Sequence, residues 1–223
     1  MSETIEMRPI GRVESCFGEK FGTPRQSGLV PAARGRVVFL DEVPSEACRG
    51  LEGFSHLWLV FLFDQVGPEE VRWLVRPPRL GGNDKMGVFA TRSPFRPNRI
   101  GLSLVSLEEV GEGFLEVSGL DVVDGTPVLD VKPYLPFVEA LPEADGGFAG
   151  EAPTRMPVDF VEEVRAVLDE DERAMVAGAL AVDPRPAYHR DERIYGCRIA
   201  GREIGWQVRA GRVLVLSCRE RMR

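Results

Sequence analysis

The residues best suited to chemistry are concentrated in one short stretch, DKMGVFATRSPFRPNRIGLS, which spans residues 84–103. Five basic side chains lie in it or just upstream: Arg79, Lys85, Arg92, Arg96 and Arg99. Its two prolines each fix their own φ near about −65° and drive the preceding residue toward extended backbone, so the arginines are held in place. A held guanidinium binds a carboxylate or a phosphate bidentately at a low cost in entropy. The stretch predicts an anion site; the alternative is a proline-rich crossover whose arginines pair with acids of a sheet.

Two other segments also combine an arginine with proline. In FGTPRQSGLV, Arg25 and Gln26 follow Pro24, so a guanidinium fork and an amide are displayed together ahead of a flexible Ser-Gly. In DPRPAYHR, Arg185 stands between two prolines, and Tyr188 can stack on a nucleobase. Each segment taken alone also fits an ordinary surface loop.

Carboxylates cluster in GLDVVDGTPVLDVKPYLP, which spans residues 119–136. Asp121, Asp124 and Asp130 can bind ribose hydroxyls or accept a proton during a reaction. Their alternation with valine and leucine equally fits the outer face of a hairpin, and Asp124 with Gly125 is first of all a turn former. The sequence leaves both interpretations open.

Charge is distributed unevenly along the 223 residues, whose formal net charge is −7. Residues 139–172 hold eleven acids against Arg155 and Arg165, whereas residues 185–223 hold ten arginines against four acids. Two basic zones in an acidic chain predict a polyanion bound at a defined place. An arginine-rich tail taken alone is as often a solvated face.

Several classes of protein do not fit this sequence. The longest apolar run, HLWLVFLF, is far shorter than the roughly 20 residues of a membrane helix, and the N-terminus lacks a signal-peptide pattern, so we expect a cytoplasmic protein. The four cysteines and two histidines are scattered without metal-site spacing, which argues against zinc and for free thiols. No G-x-G-x-x-G follows a strand, so a dinucleotide-type site is not predicted.

Short strands dominate the first part of the chain. They are predicted at residues 8–15, 35–40, 54–63, 86–91, 100–110, 114–123 and 127–134. Their close spacing, with little helix between them, favours a mixed or antiparallel barrel-like sheet over a doubly wound one. A stretch rich in proline, glycine and alanine follows and is typical of a linker or arm.

Beyond that stretch the pattern becomes helical and then returns to strands. Asp159 and Glu162 predict a capping box that opens a helix over 160–171, and a second helix is predicted at 172–182. Three strands follow at 193–200, 202–210 and 212–218, joined by tight Ala-Gly-Arg turns. We therefore expect a mainly β protein with this organisation: a β-barrel-like domain over 1–138, a linker or arm over 139–157 and a small α+β domain over 158–223.

Five segments in this order resemble the TsaA-like family, specifically its bacterial TrmO-type tRNA methyltransferases. They are FGTPRQSGLV, RGLEGFSHLWLVFLF, RPPRLGGNDKMGVFATRSPFRPNRIGLS, LDVVDGTPVLDVKPYLP and DPRPAY. The resemblance extends from Ile10 to about Trp206 and implies a single-sheet, non-Rossmann catalytic domain that uses S-adenosylmethionine. It also implies a homodimer that methylates N6 of threonylcarbamoyladenosine next to the tRNA anticodon.

The family's motifs carry over residue by residue. The positions implied for cofactor binding are Pro24, Arg25, Gln26, Asp64, Gln65, Arg92, Leu102, Asp121, Val122, Val123, Asp124, Gly125 and Thr126. Those implied for tRNA binding are Asp183, Arg185 and Tyr188. The chain departs from the family pattern at Asp64, where histidine is common, and at Arg99, where proline is common.

Methyl transfer to N6 needs the acceptor nitrogen in line with the S–CH3 bond and the loss of the N6 proton, but no metal. We expect a carboxylate or a relayed water to accept that proton while Arg92 or Arg96 binds the threonyl carboxylate or a nearby phosphate of the tRNA. The candidate proton acceptors are Asp121, Asp124 and Tyr134. Two alternatives stay open: a non-catalytic RNA-binding barrel, and a methyltransferase whose acceptor is a small molecule.

Overall fold

The computed structural model describes residues 4–77, 84–186 and 192–220. The strands in these ranges are β1 Gly11–Ser15, β2 Gly35–Phe39, β3 His56–Leu62, β4 Leu74–Val75, β5 Met86–Gly87, β6 Ile100–Gly111, β7 Phe114–Ser118, β8 Pro127–Pro133, β9 Val158–Phe160, β10 Tyr195–Ile199, β11 Arg202–Arg209 and β12 Arg212–Glu220. The α-helices are α1 Pro136–Glu139, α2 Glu162–Val167 and α3 Glu170–Ala181. No helix of these ranges has the length and apolar character needed to span a membrane.

Six strands close into an antiparallel barrel in the order β1-β2-β7-β6-β3-β8, and β8 completes the circle by pairing with β1. Alternate side chains of each strand point inward, since the side-chain period of a strand is two residues. On β3 these are Leu57, Leu59 and Phe61, all buried in the barrel core. The prediction of a mainly β protein with a barrel-like first part is confirmed.

The three predicted C-terminal strands are present, and together with β9 they form a four-stranded sheet in the order β10-β11-β12-β9. Their two connecting turns contain Ala200–Gly201 and Ala210–Gly211, and all four residues have positive φ. Two successive positive φ angles give the type I′ turn, whose twist matches that of the flanking strands. The turn prediction is therefore confirmed, with alanine in a position that usually favours asparagine or aspartate.

The predicted capping box at Asp159 is wrong. Asp159 lies in β9, which runs parallel to β12, and its carboxylate accepts hydrogen bonds from Arg212. The capping box instead forms ten residues later, after α2, where Asp169 and Glu172 satisfy each other's backbone N–H groups at the start of α3. Pairing with a strand more than 50 residues away overrides the local helix signal.

The predicted strand over 86–91 is also too long. β5 ends at Gly87, and Val88–Ala90 form a 3-10 turn that leads into the arginine loop. The stretch predicted as linker begins within α1 and contains one further 3-10 turn, Gly147–Ala149.

The barrel and the C-terminal sheet share one hydrophobic core. The chain leaves β1 and runs directly against the second sheet, where Phe17 bridges to Ile199. Phe21 then stacks on Trp206 with ring centroids 6.3 Å apart and lies beside Tyr195 at 6.2 Å. Residues near the N-terminus are therefore part of the C-terminal core.

Candidate cofactor and tRNA site

Strand β6 provides a free backbone edge at the candidate site, because only its second half pairs with β7. That pairing runs from Ser106 to Gly111, so the first half of β6 has β3 on one side and no neighbouring strand of the described chain on the other. The N–H of Leu104 points to this free side and donates to Ser27 Oγ at 3.1 Å. Backbone groups two residues apart in an antiparallel strand point the same way, so Leu102 presents its N–H and C=O to the same side.

Two loops close on this strand edge and touch each other. The N–H of Gly28 donates to the carbonyl of Gly119 at 2.9 Å, and both glycines have positive φ. A Cβ at Gly119 would lie 3.4 Å from the Gly28 nitrogen, which is an ordinary contact, so the positive φ of the two residues, and not a lack of space, favours glycine here. The contact brings Gln26 and Ser27 beside the segment that begins with Asp121.

A guanidinium, an amide and a carboxylate meet at this point. Arg92 Nη1 donates to Gln26 Oε1 at 2.6 Å, and Gln26 Nε2 donates to the carbonyl of Arg25. The Asp121 carboxylate accepts a hydrogen bond from Ser103 Oγ, which projects inward from β6. Four residues that the sequence places far apart, Gln26, Arg92, Ser103 and Asp121, therefore form one cluster, which we call the polar cluster.

Burial raises the pKa of Asp121 to about 6, although the Ser103 hydrogen bond and the nearby Arg92 charge oppose that rise. The carboxylate is thus ionised at neutral pH, yet it binds a proton more tightly than an exposed aspartate does. The polar cluster offers both signs of charge next to a free strand edge, as a zwitterionic ligand with a flat heterocycle requires.

Asp124 and Tyr134 have partners outside the polar cluster. The Asp124 carboxylate accepts the backbone N–H of Ser15 at 2.9 Å, which fixes the turn after residue 121 against the end of β1. Tyr134 packs edge-on against the rings of His56 and Trp58, with centroids 6.3 and 6.1 Å away. His56 is three residues along β3 from the position opposite Ser103, a distance of about 10 Å.

Arg96 and Arg99 stabilise the arginine loop from within. Arg96 Nη1 donates to the Thr91 carbonyl at 3.4 Å, and Arg99, at a positive φ of 50°, donates to the Val66 carbonyl. That second bond ties the loop to the exposed residues that follow β3, Asp64 and Gln65. The carbonyl of Gln65 in turn accepts a hydrogen bond from Lys20 Nζ at 2.9 Å.

Of the other residues implied for cofactor binding, Leu102 lies in β6 and the rest lie in the two loops. Pro24, Val122 and Thr126 are buried, Leu102 and Arg25 are exposed, and Val123 accepts a hydrogen bond from Thr126 Oγ1 at 2.6 Å. Gly125 has a positive φ of 80° in the predicted Asp-Gly turn.

The C-terminal segment DPRP, residues 183–186, contacts the loop that carries Gln26. Arg185 donates bidentately to Asp183, with Nε to Oδ1 at 2.7 Å and Nη2 to Oδ2 at 2.9 Å, and its side chain is only 12% exposed. The carbonyl of Arg185 accepts a hydrogen bond from Arg25 Nη2 at 3.2 Å. Tyr188 and Arg79 lie outside the described residues.

Ser27 and Ser103 are site residues that were not predicted from the sequence. Ser103 carried a detectable signal, because it is a polar residue at an inward-facing position of an apolar alternation and therefore needs a partner. Ser27 carried none, since a serine before glycine is common in any loop.

A concavity of about 400 Å³ lies elsewhere, lined by Phe39, Cys48, Arg49 and the β6–β7 turn. This turn is at the opposite end of β6 from the polar cluster, and the concavity contains none of the predicted site residues. Within the described part of the chain, no three His, Cys, Asp or Glu side chains are grouped so that they could hold a metal ion.

Comparison with known proteins gives one consistent result. Family models of the N-terminal domain of tRNA-methyltransferase O and of the TrmO C-terminal domain match residues 12–140 and 153–221. A tRNA (adenine(37)-N6)-methyltransferase of Escherichia coli is 45% identical over 220 residues, which are 92% of this chain and 94% of that protein. One of Eikenella corrodens is 48% identical over 167 residues, 73% of this chain and 95% of that protein. A crystal structure of TrmO from Pseudomonas aeruginosa matches with a TM-score of 0.82 at 38% identity and covers 99% of both chains. The chain belongs to the tRNA-methyltransferase O family.

Proposed function

We propose that this chain is an S-adenosylmethionine-dependent methyltransferase that acts on N6 of adenine 37 of tRNA, with threonylcarbamoyladenosine as the acceptor. The polar cluster beside the free half of β6 carries the proposal, because it supplies charges of both signs next to unpaired backbone groups. The 45% identity to the Escherichia coli enzyme over nearly the whole chain supports the same reaction.

The polar cluster fits the chemistry of the cofactor. S-adenosylmethionine supplies an electrophilic methyl group on a sulfonium, and it also has a carboxylate, an ammonium and an adenine. Arg92, oriented by Gln26, suits the carboxylate, while Asp121 suits a cationic centre. The N–H and C=O of Leu102 suit the donor and acceptor on the edge of adenine.

The remaining cofactor-side positions have supporting roles in this proposal. Pro24 and Arg25 shape the loop that carries Gln26, and the turn over residues 122–126 holds Asp121 against β6. Asp64 and Gln65 close the far side, where Lys20 holds the Gln65 carbonyl.

Asp121 is the proton acceptor that we propose. It is the one candidate base of the sequence that lies in the polar cluster, since Asp124 holds the Ser15 N–H and Tyr134 packs on His56 and Trp58. A carboxylate with its pKa raised to about 6 accepts a proton more readily than an exposed one and is still ionised at neutral pH. Its proton would come from N6 as the new N–C bond forms.

Arg96 is proposed to bind an anion of the substrate, either the threonyl carboxylate or a neighbouring phosphate. For Asp183 and Arg185 the geometry favours an indirect contribution to tRNA binding. Their ion pair occupies both side chains and leaves the Arg185 carbonyl to hold Arg25. In this proposal residues 1–138 carry the chemistry, 139–157 connect, and 158–223 add tRNA contacts around the segment that contains Tyr188.

The test begins with calorimetric titration of S-adenosylmethionine and S-adenosylhomocysteine into the purified protein. We expect micromolar affinity, followed by methylation of tRNA that carries the threonylcarbamoyl group and no methylation of tRNA that lacks it. A different result would identify an RNA-binding barrel: the protein binds tRNA in a salt-dependent way, but S-adenosylmethionine binds neither the free protein nor its complex with tRNA. The proposed homodimer is tested by light scattering on the same sample.

A further inference from the structure

Two aromatic side chains stand in solvent on the small hairpin formed by β4 and β5. Trp73 is 64% exposed and Phe89 is 72% exposed. Their rings meet edge to face, with centroids 6.3 Å apart and an interplanar angle of 74°. Leu74, the first residue of β4, is exposed as well, so three large apolar side chains of this region meet water, and exposed apolar groups of this kind often mark a binding site.

This aromatic pair is fixed to the arginine loop. The N–H of Val88 donates to the Trp73 carbonyl, and the N–H of Arg72 donates to the Phe95 carbonyl, both at 3.0 Å. The Arg72 guanidinium also lies over the Phe95 ring, 4.0 Å from its centroid. Phe89 is three residues from Arg92, so its backbone lies within about 10 Å of that of an arginine of the polar cluster.

The surroundings of the pair are strongly cationic. In the described part of residues 72–96 there are five basic residues, Arg72, Arg76, Lys85, Arg92 and Arg96, and a single acid, Asp84. Arg76 directly follows β4 and Lys85 directly precedes β5, so they stand side by side at the end of the two-stranded ladder, and both are exposed. Exposed rings interleaved with cations are the combination that binds unpaired nucleotides, because the rings stack on bases and the cations meet phosphates.

We infer that Trp73 and Phe89 form a stacking platform for an unpaired base of the tRNA anticodon loop, with Arg76 and Lys85 contacting the adjoining phosphates. The inference rests on the proposed function, since it takes tRNA as the substrate. A second copy of this chain fits the surface less well. A two-fold interface centred here would set Arg72, Arg76 and Lys85 against the same residues of the partner, and like charges repel.

The test compares Trp73→Ala and Phe89→Ala with the wild-type protein and with Phe137→Ala. Phe137 is 84% exposed in α1, two residues from Glu139 and ahead of the acidic stretch, so it is a matched exposed aromatic in an acidic part of the sequence. We expect each of the first two variants to raise the KM for tRNA about 10-fold, because one stacked base is lost. Trp73→Phe keeps a ring and should stay within about 3-fold of wild type, as should Phe137→Ala.

Salt dependence separates stacking from phosphate contact. Arg76→Ala should reduce the slope of log K against log salt concentration by about 0.7 to 0.9, the value of one phosphate contact. Trp73→Ala should weaken tRNA binding at every salt concentration and leave the slope unchanged. The affinity for S-adenosylmethionine should match that of wild type in all these variants, which confirms that they are folded.

Three outcomes would overturn the inference. If the wild-type protein methylates tRNA but Trp73→Ala and Phe89→Ala keep its KM, the platform is wrong and the proposed function stands. If Trp73→Ala converts a dimer into a monomer in light scattering, the surface joins two copies of the chain instead. If the wild-type protein neither binds nor methylates tRNA, both the proposed function and this inference are wrong.

Discussion

The arginines of the C-terminal sheet and those of the loop around residue 92 have opposite kinds of partner. In the sheet the partners are acids: Arg198 pairs with Glu19, Arg202 with Glu172 and Glu220, Arg209 with Glu192, and Arg212 with Asp159. In the loop they are neutral: Arg72 lies over Phe95, Arg92 bonds the Gln26 amide, and Arg96 and Arg99 bond the carbonyls of Thr91 and Val66. One basic zone is neutralised by direct ion pairs within the protein, whereas the other is oriented by neutral groups, with the Asp121 carboxylate near Arg92, and keeps its guanidinium groups for a ligand.

A local excess of arginine therefore does not by itself locate an anion site. A salt bridge on the surface contributes little free energy but cancels the field of the cation over longer distances. A carbonyl or amide oxygen orients a guanidinium and leaves its net charge in place. The partner of each arginine therefore distinguishes a structural zone from a binding zone.

The largest expected effect concerns Asp121, the carboxylate of the polar cluster close to the loop cations. If Asp121 accepts the N6 proton, Asp121→Asn should lower kcat by about 100-fold or more, because the proton acceptor is lost. The measurement is single-turnover methylation of tRNA at saturating cofactor. A matched Asp124→Asn substitution, at the carboxylate that holds the Ser15 N–H, should change kcat far less. Equal losses in the two variants would remove Asp121 from its proposed role.

The direct comparison of the two zones uses Arg92→Ala and Arg212→Ala. We expect Arg92→Ala to lower kcat/KM roughly 10- to 100-fold, because a charged hydrogen-bond donor to the ligand is removed. Arg92→Lys should recover only part of this loss, since an ammonium lacks the planar fork. Arg212→Ala should stay within about 2-fold of wild type, because Arg212 pairs with Asp159 on an exposed surface. Similar losses at both arginines would contradict the comparison.

A smaller effect is expected in the pH dependence of stability. The pKa of Asp121 is raised from 3.8 to about 6 in the folded protein, so the folded state binds this proton more tightly than the unfolded state. Its contribution to the free energy of unfolding is therefore largest below about pH 4 and is lost as the pH rises through about 6. Above that pH, Asp121→Asn should be more stable than wild type by about 1–2 kcal/mol, with the altered Ser103 hydrogen bond offsetting part of the gain. Urea unfolding of both proteins at pH 5 and pH 8 measures this difference in the free energy of unfolding. A difference that did not grow with pH would contradict the prediction.

The smallest expected effect is on stability, where we expect an arginine of the C-terminal sheet to matter more than Arg92 of the loop. Arg202 bonds Glu172, the capping-box residue of α3, and both side chains are largely shielded from water. We expect Arg202→Ala to lower the free energy of unfolding by about 1 kcal/mol, because the capping glutamate loses its support. Arg92→Ala should change it by less than about 0.5 kcal/mol. Urea unfolding of both variants would show whether the two zones divide stability and binding as described.

Much of the fold was accessible from the sequence because local patterns specify it. Apolar alternation located β3, β6 and β8 within one or two residues, and the Ala-Gly-Arg turns located the C-terminal hairpins. β9 was missed because its partner β12 is distant in the sequence, and Asp159 was assigned to a helix for that reason. The resemblance supplied Gln26, Arg92 and Asp121, but their approach depends on the close contact between Gly28 and Gly119, which no spacing reveals.

The partners of the charged groups were not accessible at all. Whether an arginine meets a carboxylate or a carbonyl depends on tertiary contacts, such as the one between Arg198 and Glu19. These two residues are 179 positions apart. The same reason explains why Asp124 was as plausible a base as Asp121 until the Ser15 N–H was seen to occupy it.

The packing of Phe17 and Phe21 on the C-terminal sheet has a consequence for how the chain is made. A ribosome that adds about 5–20 residues per second needs roughly 10–40 s to proceed from Phe21 to Trp206, its stacking partner. Throughout that interval the strands of the barrel are available to pair, while these two aromatic rings stay exposed because the sheet that buries them has not been made. We expect the nascent chain to be most prone to aggregation and chaperone binding at this segment, and to be released from both only when β11 has emerged.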